Sequence, residues 1–172
     1  MIQPHTQSFR SETKDDFQEA AVTLESLKLL AGSLLVSPHI PTLFTGNVSD
    51  DLHAYDSQTQ LLKAYYKALN ELRRQEPALH DMSRKLVALI PPDNENVLFL
   101  HRWVGSQHLL CLLNFTAMKQ EVHLPAMGMD WHKSIDSAAP CWNGPEAAPN
   151  FIADAERIVL QPESIIIYKC CD

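Results

Sequence analysis

The hydrophobic period of this chain changes once, near Leu79. Before that point apolar residues recur at helical spacing. After it, short runs rich in β-branched and aromatic residues alternate with Pro and Gly turn signals. The switch predicts an α+β chain: a helical segment over residues 1–78, then an antiparallel β-sandwich domain over 79–172.

In the first half, Asp15 or Asp16 is placed to cap a helix whose Phe17, Ala21, Leu24, Leu27, Ala31 and Leu34 share one face. Pro38 ends it, and Pro41 follows. Thr42–Thr45 reads as a short strand closed by Gly46, ahead of an Asp-rich loop. A helix feeding a buried parallel strand has this grammar, and in α/β barrels the loops after such strands build the active site. Ser57-Gln58-Thr59-Gln60 fits a capping box. Leu61, Leu62, Tyr65, Leu69 and Leu72 then line one face of a second helix, bounded by Pro77.

The second half predicts seven strands: Leu86–Ile90, Asn96–Val104, His108–Phe115, Gln120–Leu124, Trp131–Ile135, Arg157–Leu160 and Ser164–Tyr168. Gly105-Ser106 separates two of them and predicts a tight hairpin with a type II′-like turn. Seven short strands at this spacing point to a sandwich. Pro140–Pro149, with Gly144 inside it, reads as the loosest loop.

Composition narrows the functional classes. Fourteen Lys and Arg against 21 Asp and Glu give a net charge of −7, with no basic stripe, so a nucleic-acid partner is not expected. The first ten residues hold no apolar secretory core, and the run around Leu27–Val36 is broken by Lys28, Gly32 and Ser33. No membrane span is expected, and a cytoplasmic protein is. Cys111, Cys141, Cys170 and Cys171 lack metal-site or disulfide-framework spacing.

SPHIPTLFTG at Ser37–Gly46, LNELRRQEPAL at Leu69–Leu79 and VLFLHRW at Val97–Trp103 follow one another in an informative order. LLCLLNFT at Leu109–Thr116, SIDSAAPCWNGP at Ser134–Pro145 and QPESIIIY at Gln161–Tyr168 continue it. Together they resemble the C-terminal third of alpha-amylase-family enzymes (glycoside hydrolase family 13), most closely the malto-oligosyltrehalose trehalohydrolases. The resemblance implies that the first segment is the remnant of the last units of a β/α barrel, with its eighth strand, and that the sandwich is the domain following the barrel. At 172 residues the chain is too short for a whole barrel of about 250.

The resemblance also implies an absence. These enzymes cleave α-glucosidic bonds between two carboxylates, a nucleophile and a general acid. Both come from barrel strands upstream of anything present, so no catalytic residue is assigned. A third family aspartate belongs to an Asn-His-Asp motif, matched here by Pro4-His5-Thr6. His5 agrees, but Thr6 replaces the carboxylate. After Gly46 the subgroup carries Glu-Glu where this chain has Asn47-Val48-Ser49-Asp50-Asp51.

His5 and Trp142 are the two candidate substrate-binding residues, His5 from the motif and Trp142 because aromatic rings stack on sugar faces and the Pro-rich loop favours its exposure. Trp103 reads as sandwich core instead. Asp50, Asp51, Asp56 and His53 read as a polar loop. Glu12, Asp15, Asp16 and Glu19 crowd a helix N-terminus, where negative charge is favourable. The eight histidines show no metal-ligand spacing, those on strands needing only a solvent-facing position, and no Gly-rich phosphate loop occurs. No metal and no cofactor is expected.

The function expected is that of a non-catalytic C-terminal segment of an alpha-glucan glycosidase, lacking the catalytic carboxylates, with an α-glucan or malto-oligosaccharide as its expected small-molecule partner. The alternatives are a carbohydrate-binding or regulatory module, and a subunit that docks on a separate catalytic barrel or on a second copy of itself. The last follows from the apolar faces of Leu24, Leu27, Leu34, Tyr65 and Leu69, which need a covering.

Overall fold

A computed structural model of the chain describes residues 23–38, 57–80, 83, 86–90 and 96–170. His5, Thr6, the predicted Thr42–Thr45 strand and the Asp50–Asp56 loop lie outside the described residues, as do Asp15 and Asp16. Two helices, α1 (Leu24–Val36) and α2 (Ser57–Gln75), and a single turn, α3 (Pro77–His80), precede the strands. The strands are β1 (Val87–Ile90), β2 (Val97–Val104), β3 (Gln107–Asn114), β4 (Gln120–His123), β5 (Trp131–Asp136), β6 (Phe151–Ile152), β7 (Arg157–Leu160) and β8 (Ser164–Cys170). Each of the seven predicted strands is present, with ends within two residues of those expected. Only β6 was not anticipated: two residues are too few to show alternation.

Six strands form one antiparallel sheet in the order β1-β2-β3-β8-β5-β6, and β4 pairs with β7 in a second. One face of the large sheet carries α1 and α2. Leu29, Leu35, Tyr65 and Leu69 pack there with Leu109, Cys111, Ile165 and Ile167. The other face packs Phe99, Leu110, Leu112 and Tyr168 with Val122, Ile158 and Leu160 of the small sheet. Strands β3 and β8 are thus covered on both sides, which is why Leu109–Leu113 and Ile165–Ile167 are continuously apolar rather than alternating. The α+β class and the antiparallel, sandwich-like second half are observed.

Helix α1 departs from its expected start and phase. It begins at Leu24 because Thr23 is extended (φ −87°, ψ 161°) and caps it, taking the Ser26 amide while Ser26 returns the bond. Its buried face runs through Lys28, Leu29, Ala31, Gly32, Leu35 and Val36, one position round from the predicted one. The C-terminus of α1 is closed by a buried cation. Arg102 of β2, fully buried, donates from Nη1 to the carbonyls of Val36 (2.8 Å) and Ser37 (3.3 Å). A positive charge suits a helix C-terminus. Helix α2 buries Tyr65, Leu69 and Leu72 as expected and stops before Pro77.

Val104 pairs with Gln107 across a two-residue turn. Gly105 has φ +59° and Ser106 is not among the positive-φ residues, the type II′ pattern predicted for this hairpin. The Pro140–Pro149 loop is not loose. The amides of Trp142, Asn143, Gly144 and Glu146 all bond back to carbonyls between Ala138 and Pro140. The sequence reading missed this because the bonds are local turns made without regular alternation.

Candidate functional site

Trp142 is the predicted site residue that the structure describes, and its position is set by the local sequence. Pro140 opens a single 3₁₀ turn, Pro140–Trp142, that ends at Asn143 in the left-handed region (φ 59°, ψ 27°). Gly144 follows, so close to the backbone that a Cβ would stand 2.0 Å from the Ala138 carbonyl oxygen. The turn swings the indole toward α2. There it meets Tyr65 edge to face, with centroids 5.3 Å apart and planes at 73°. The Trp142 carbonyl accepts a hydrogen bond from Lys28 Nζ of α1 at 2.9 Å. Trp142 is half-buried and lines a cleft of about 380 Å³ between α2 and β5.

Asp136 forms the floor of that cleft. It is 3% exposed and accepts from the amides of Ala138 (2.9 Å) and Ala148 (2.7 Å). Lys133 Nζ lies 4.0 Å away and also donates to the Ala148 carbonyl. Burial nevertheless dominates and holds the Asp136 carboxyl above its ordinary range, against the two amides, Lys133 and Lys28. The same desolvation holds the Lys28 ammonium below its ordinary value. The two charges offset each other's burial and fasten the Pro140–Pro149 loop onto the sheet.

Between Lys133 and Ile135 the pairing of β5 with β8 shifts register. This irregularity places Ser134 at the cleft wall, with a buried Oγ that has no hydrogen-bond partner among the described residues. On the α2 side, Gln75 Nε2 donates to Glu71 Oε1 at 3.0 Å, and both side chains are exposed at the rim.

In chemical terms the cleft offers an aromatic wall, a hydroxyl, and an amide–carboxylate pair. It does not set up an acid and a nucleophile: each carboxylate oxygen of Asp136 accepts from a backbone amide in the interior, and Glu71 is an exposed rim residue.

The other tryptophans separate by role. Trp131 is fully buried in the sheet–sheet core. Trp103 does not fill that core as expected. It is half-buried, belongs to neither buried cluster, and stacks on His101 (4.8 Å, 25°). The rings of His101 and His108 are nearly parallel, with Nε2 and Nδ1 3.0 Å apart, so one ring donates and the other accepts. His101 is pushed down to about 4, by burial first and by His108 second. His101 and His108 therefore do more than face solvent, whereas His123 and His132 are exposed. Among the described residues no three His, Cys, Asp or Glu side chains converge on a metal position. No disulfide joins Cys111, Cys141 and Cys170 to one another, and no described helix is long and apolar enough to cross a membrane.

Lys28, Asp136, Ser134 and Arg102 were not singled out from the sequence. Lys28 and Arg102 carried a signal: each is a charge at a position where the apolar pattern requires core.

No protein-family model matches the chain, and no curated protein matches it. Solved structures do. The trehalulose synthase MutB from Pseudomonas mesoacidophila MX-45, in its monoclinic form, aligns at 30% identity and a TM-score of 0.51 over 64% of this chain and 18% of that chain. An inactive double mutant of MutB in complex with isomaltulose gives the same 30% identity and TM-score of 0.51 over the same shares. The likeness supports the alpha-amylase family. It does not single out trehalohydrolases. This chain spans about 18% of the length of the solved chains it matches.

Proposed function

We propose that this chain is the non-catalytic C-terminal portion of an alpha-amylase-family glycosidase acting on α-glucans, with residues 1–78 as the barrel-derived segment. The observation that carries the reading is the match of 64% of the chain to 18% of trehalulose synthase. The state of Asp136 supports it: a carboxylate tied down by two backbone amides anchors a loop rather than attacking or protonating a glycosidic bond. The test is incubation of the purified protein with maltodextrins and with malto-oligosyltrehalose. No glucose or trehalose above blank is the expected result. Release of either sugar overturns the reading.

A second reading, an accessory module that holds a glycan, is favoured by the half-buried Trp142 at the wall of an open cleft. The solved neighbours have been captured with isomaltulose and sucrose, so glucosyl sugars are the ligands to try first. Quenching or enhancement of Trp fluorescence by maltoheptaose is expected, and a flat titration into the millimolar range removes this reading.

A further inference from the structure

Asn143-Gly144 is the one Asn-Gly pair in the sequence. Such a pair is chemically reactive, because glycine has no side chain to shield its amide nitrogen and has the freest backbone of any residue. Once it gives up its proton, that nitrogen can attack the asparagine Cγ. A C–N bond forms, ammonia leaves, and a five-membered succinimide remains. Water then opens the ring at either carbonyl and gives aspartate or isoaspartate. In isoaspartate the backbone runs through Cβ and Cγ and is longer by a carbon.

The folded turn opposes ring closure in three ways. Asn143 is exposed, so water reaches it, but its backbone is left-handed (φ 59°, ψ 27°). Closure needs the Gly144 nitrogen on the Cβ side of the Asn143 Cα–C bond. At ψ 27° that nitrogen is nearly eclipsed with the Asn143 nitrogen instead. The Gly144 N–H also donates to the Ala139 carbonyl at 3.1 Å, which holds the proton that must leave. Finally, the flanking residues are pinned. Gly144 abuts Ala138, whose carbonyl oxygen would lie 2.0 Å from an added Cβ. Trp142 is held by the Tyr65 ring and by the bond from Lys28 Nζ to its carbonyl.

We propose that Asn143 is a spontaneous deamidation site which the folded turn holds shut, and that its conversion is one-way for the fold. Reaction requires local opening of the turn, so its rate follows the population of the open loop. The product does not fit back. An isoaspartate backbone, longer by a carbon, breaks the spacing of the bonds from the Asn143 amide to the Pro140 carbonyl (3.0 Å) and from the Gly144 amide to the Ala139 carbonyl. Either product also places a new carboxylate in a cleft already lined by Glu25 and Glu163. The loop then loses the turn that seats Trp142 against Tyr65. Modification collects in molecules whose loop has opened, and keeps it open.

The experiment is incubation of the full chain at neutral pH, folded and in urea, with conversion at Asn143 followed by peptide mapping and mass spectrometry. The folded protein is expected to convert at least about tenfold more slowly than the unfolded one. Equal rates overturn the proposal, and this comparison needs no variant. Lys28→Met, which removes the donor to the Trp142 carbonyl, is expected to raise the folded rate several-fold and to leave the rate in urea unchanged. Val122→Ala, a cavity in the sheet–sheet core, separates local from global opening and is expected to keep the wild-type folded rate. Lys28→Met at the wild-type rate, or Val122→Ala as fast as Lys28→Met, overturns gating by the turn. Converted protein, purified and returned to native buffer, is expected to show altered near-ultraviolet circular dichroism from the Tyr65–Trp142 contact. An unaltered spectrum overturns the one-way step.

Discussion

Gly32 of α1 and Ile165 of β8 approach so closely that a Cβ on Gly32 would stand 2.6 Å from Ile165 Cγ2. Ile165 is fully buried in the core that α1 shares with the sheet. The missing side chain is what lets the helix backbone settle onto β8. It also fixes the phase of α1: the face that meets the sheet is the one containing Gly32, not the one richest in leucine.

Replacing Gly32 by Ala is therefore expected to destabilise the protein despite the better helix propensity. The propensity gain is about 1 kcal/mol. Overpacking a closed core costs about 1–3 kcal/mol, and the contact distance places Gly32 toward the upper end, so a net loss of about 1–2 kcal/mol follows. Urea denaturation measures it. In an Ile165→Ala background the same Gly32→Ala change is expected to become neutral or stabilising, because the obstructing methyl is gone. Equal costs in the two backgrounds would show that the contact does not decide the position.

Stability is expected to fall as the pH drops from about 6.5 to about 4, through His101. Its folded value, about 4, lies below the ordinary 6.5, because of burial first and His108 second. Between those values the unfolded chain binds a proton that the folded chain refuses, so acid favours unfolding there. The hydrogen bond between two imidazoles also requires that at least one stay neutral. His101 keeps some contact with solvent, which screens the effect. Denaturation midpoints measured across this window check it. His101→Phe is expected to flatten the slope, and an unchanged slope in that variant assigns the dependence elsewhere.

The strands and the hairpin were legible because their signals are local. Alternation or apolar runs between Pro and Gly breaks locate β1 to β5, β7 and β8, and Gly105 alone sets the turn. The candidate cleft was legible only at Trp142. Asp136 and Lys28 lie 108 positions apart and meet solely because the 3₁₀ turn and α1 converge on the same end of the sheet. The phase of α1 was misread because a glycine counts as nothing on a hydrophobicity pattern, yet marks the closest approach. Arg102 was legible only in part. A charge inside VLFLHRW marks a core position, but its partners, the open carbonyls of Val36 and Ser37, are distant in sequence and meet it only in the fold.

Gly144→Ala is expected to displace Trp142. The added Cβ would meet backbone, the Ala138 carbonyl oxygen at 2.0 Å, which no rotamer change relieves. The turn must open, and with it the bond from the Gly144 amide to the Ala139 carbonyl. A loss of about 1–3 kcal/mol is the ordinary scale of such overpacking. The telling readout is near-ultraviolet circular dichroism, where the Tyr65–Trp142 contact contributes. A variant with native stability and an unaltered spectrum would contradict the account.

The final prediction concerns Lys28, whose replacement by Met tests whether a buried cation here helps or harms. Two effects oppose each other. Removing Lys28 ends its desolvation, the cause of its lowered ionisation. It also strips the Trp142 carbonyl of its donor and takes away one of the positive charges that support Asp136. A buried charge left with fewer partners is costly, about 3–5 kcal/mol when a pair is broken outright. Asp136 keeps two amides and Lys133, so the loss is smaller, about 1–3 kcal/mol, the scale of one buried unsatisfied group. The direction at Asp136 is sharper than the magnitude. Its carboxyl already sits above the ordinary range, and without Lys28 it must rise further. A raised folded value means that stability is greatest below the ordinary carboxylate value and is lost as pH rises through the folded one. Lys28→Met is thus expected to cost more stability at neutral pH than in mild acid. Carboxyl ¹³C titration of Asp136 in both proteins checks this, and an unmoved midpoint would sever the two residues.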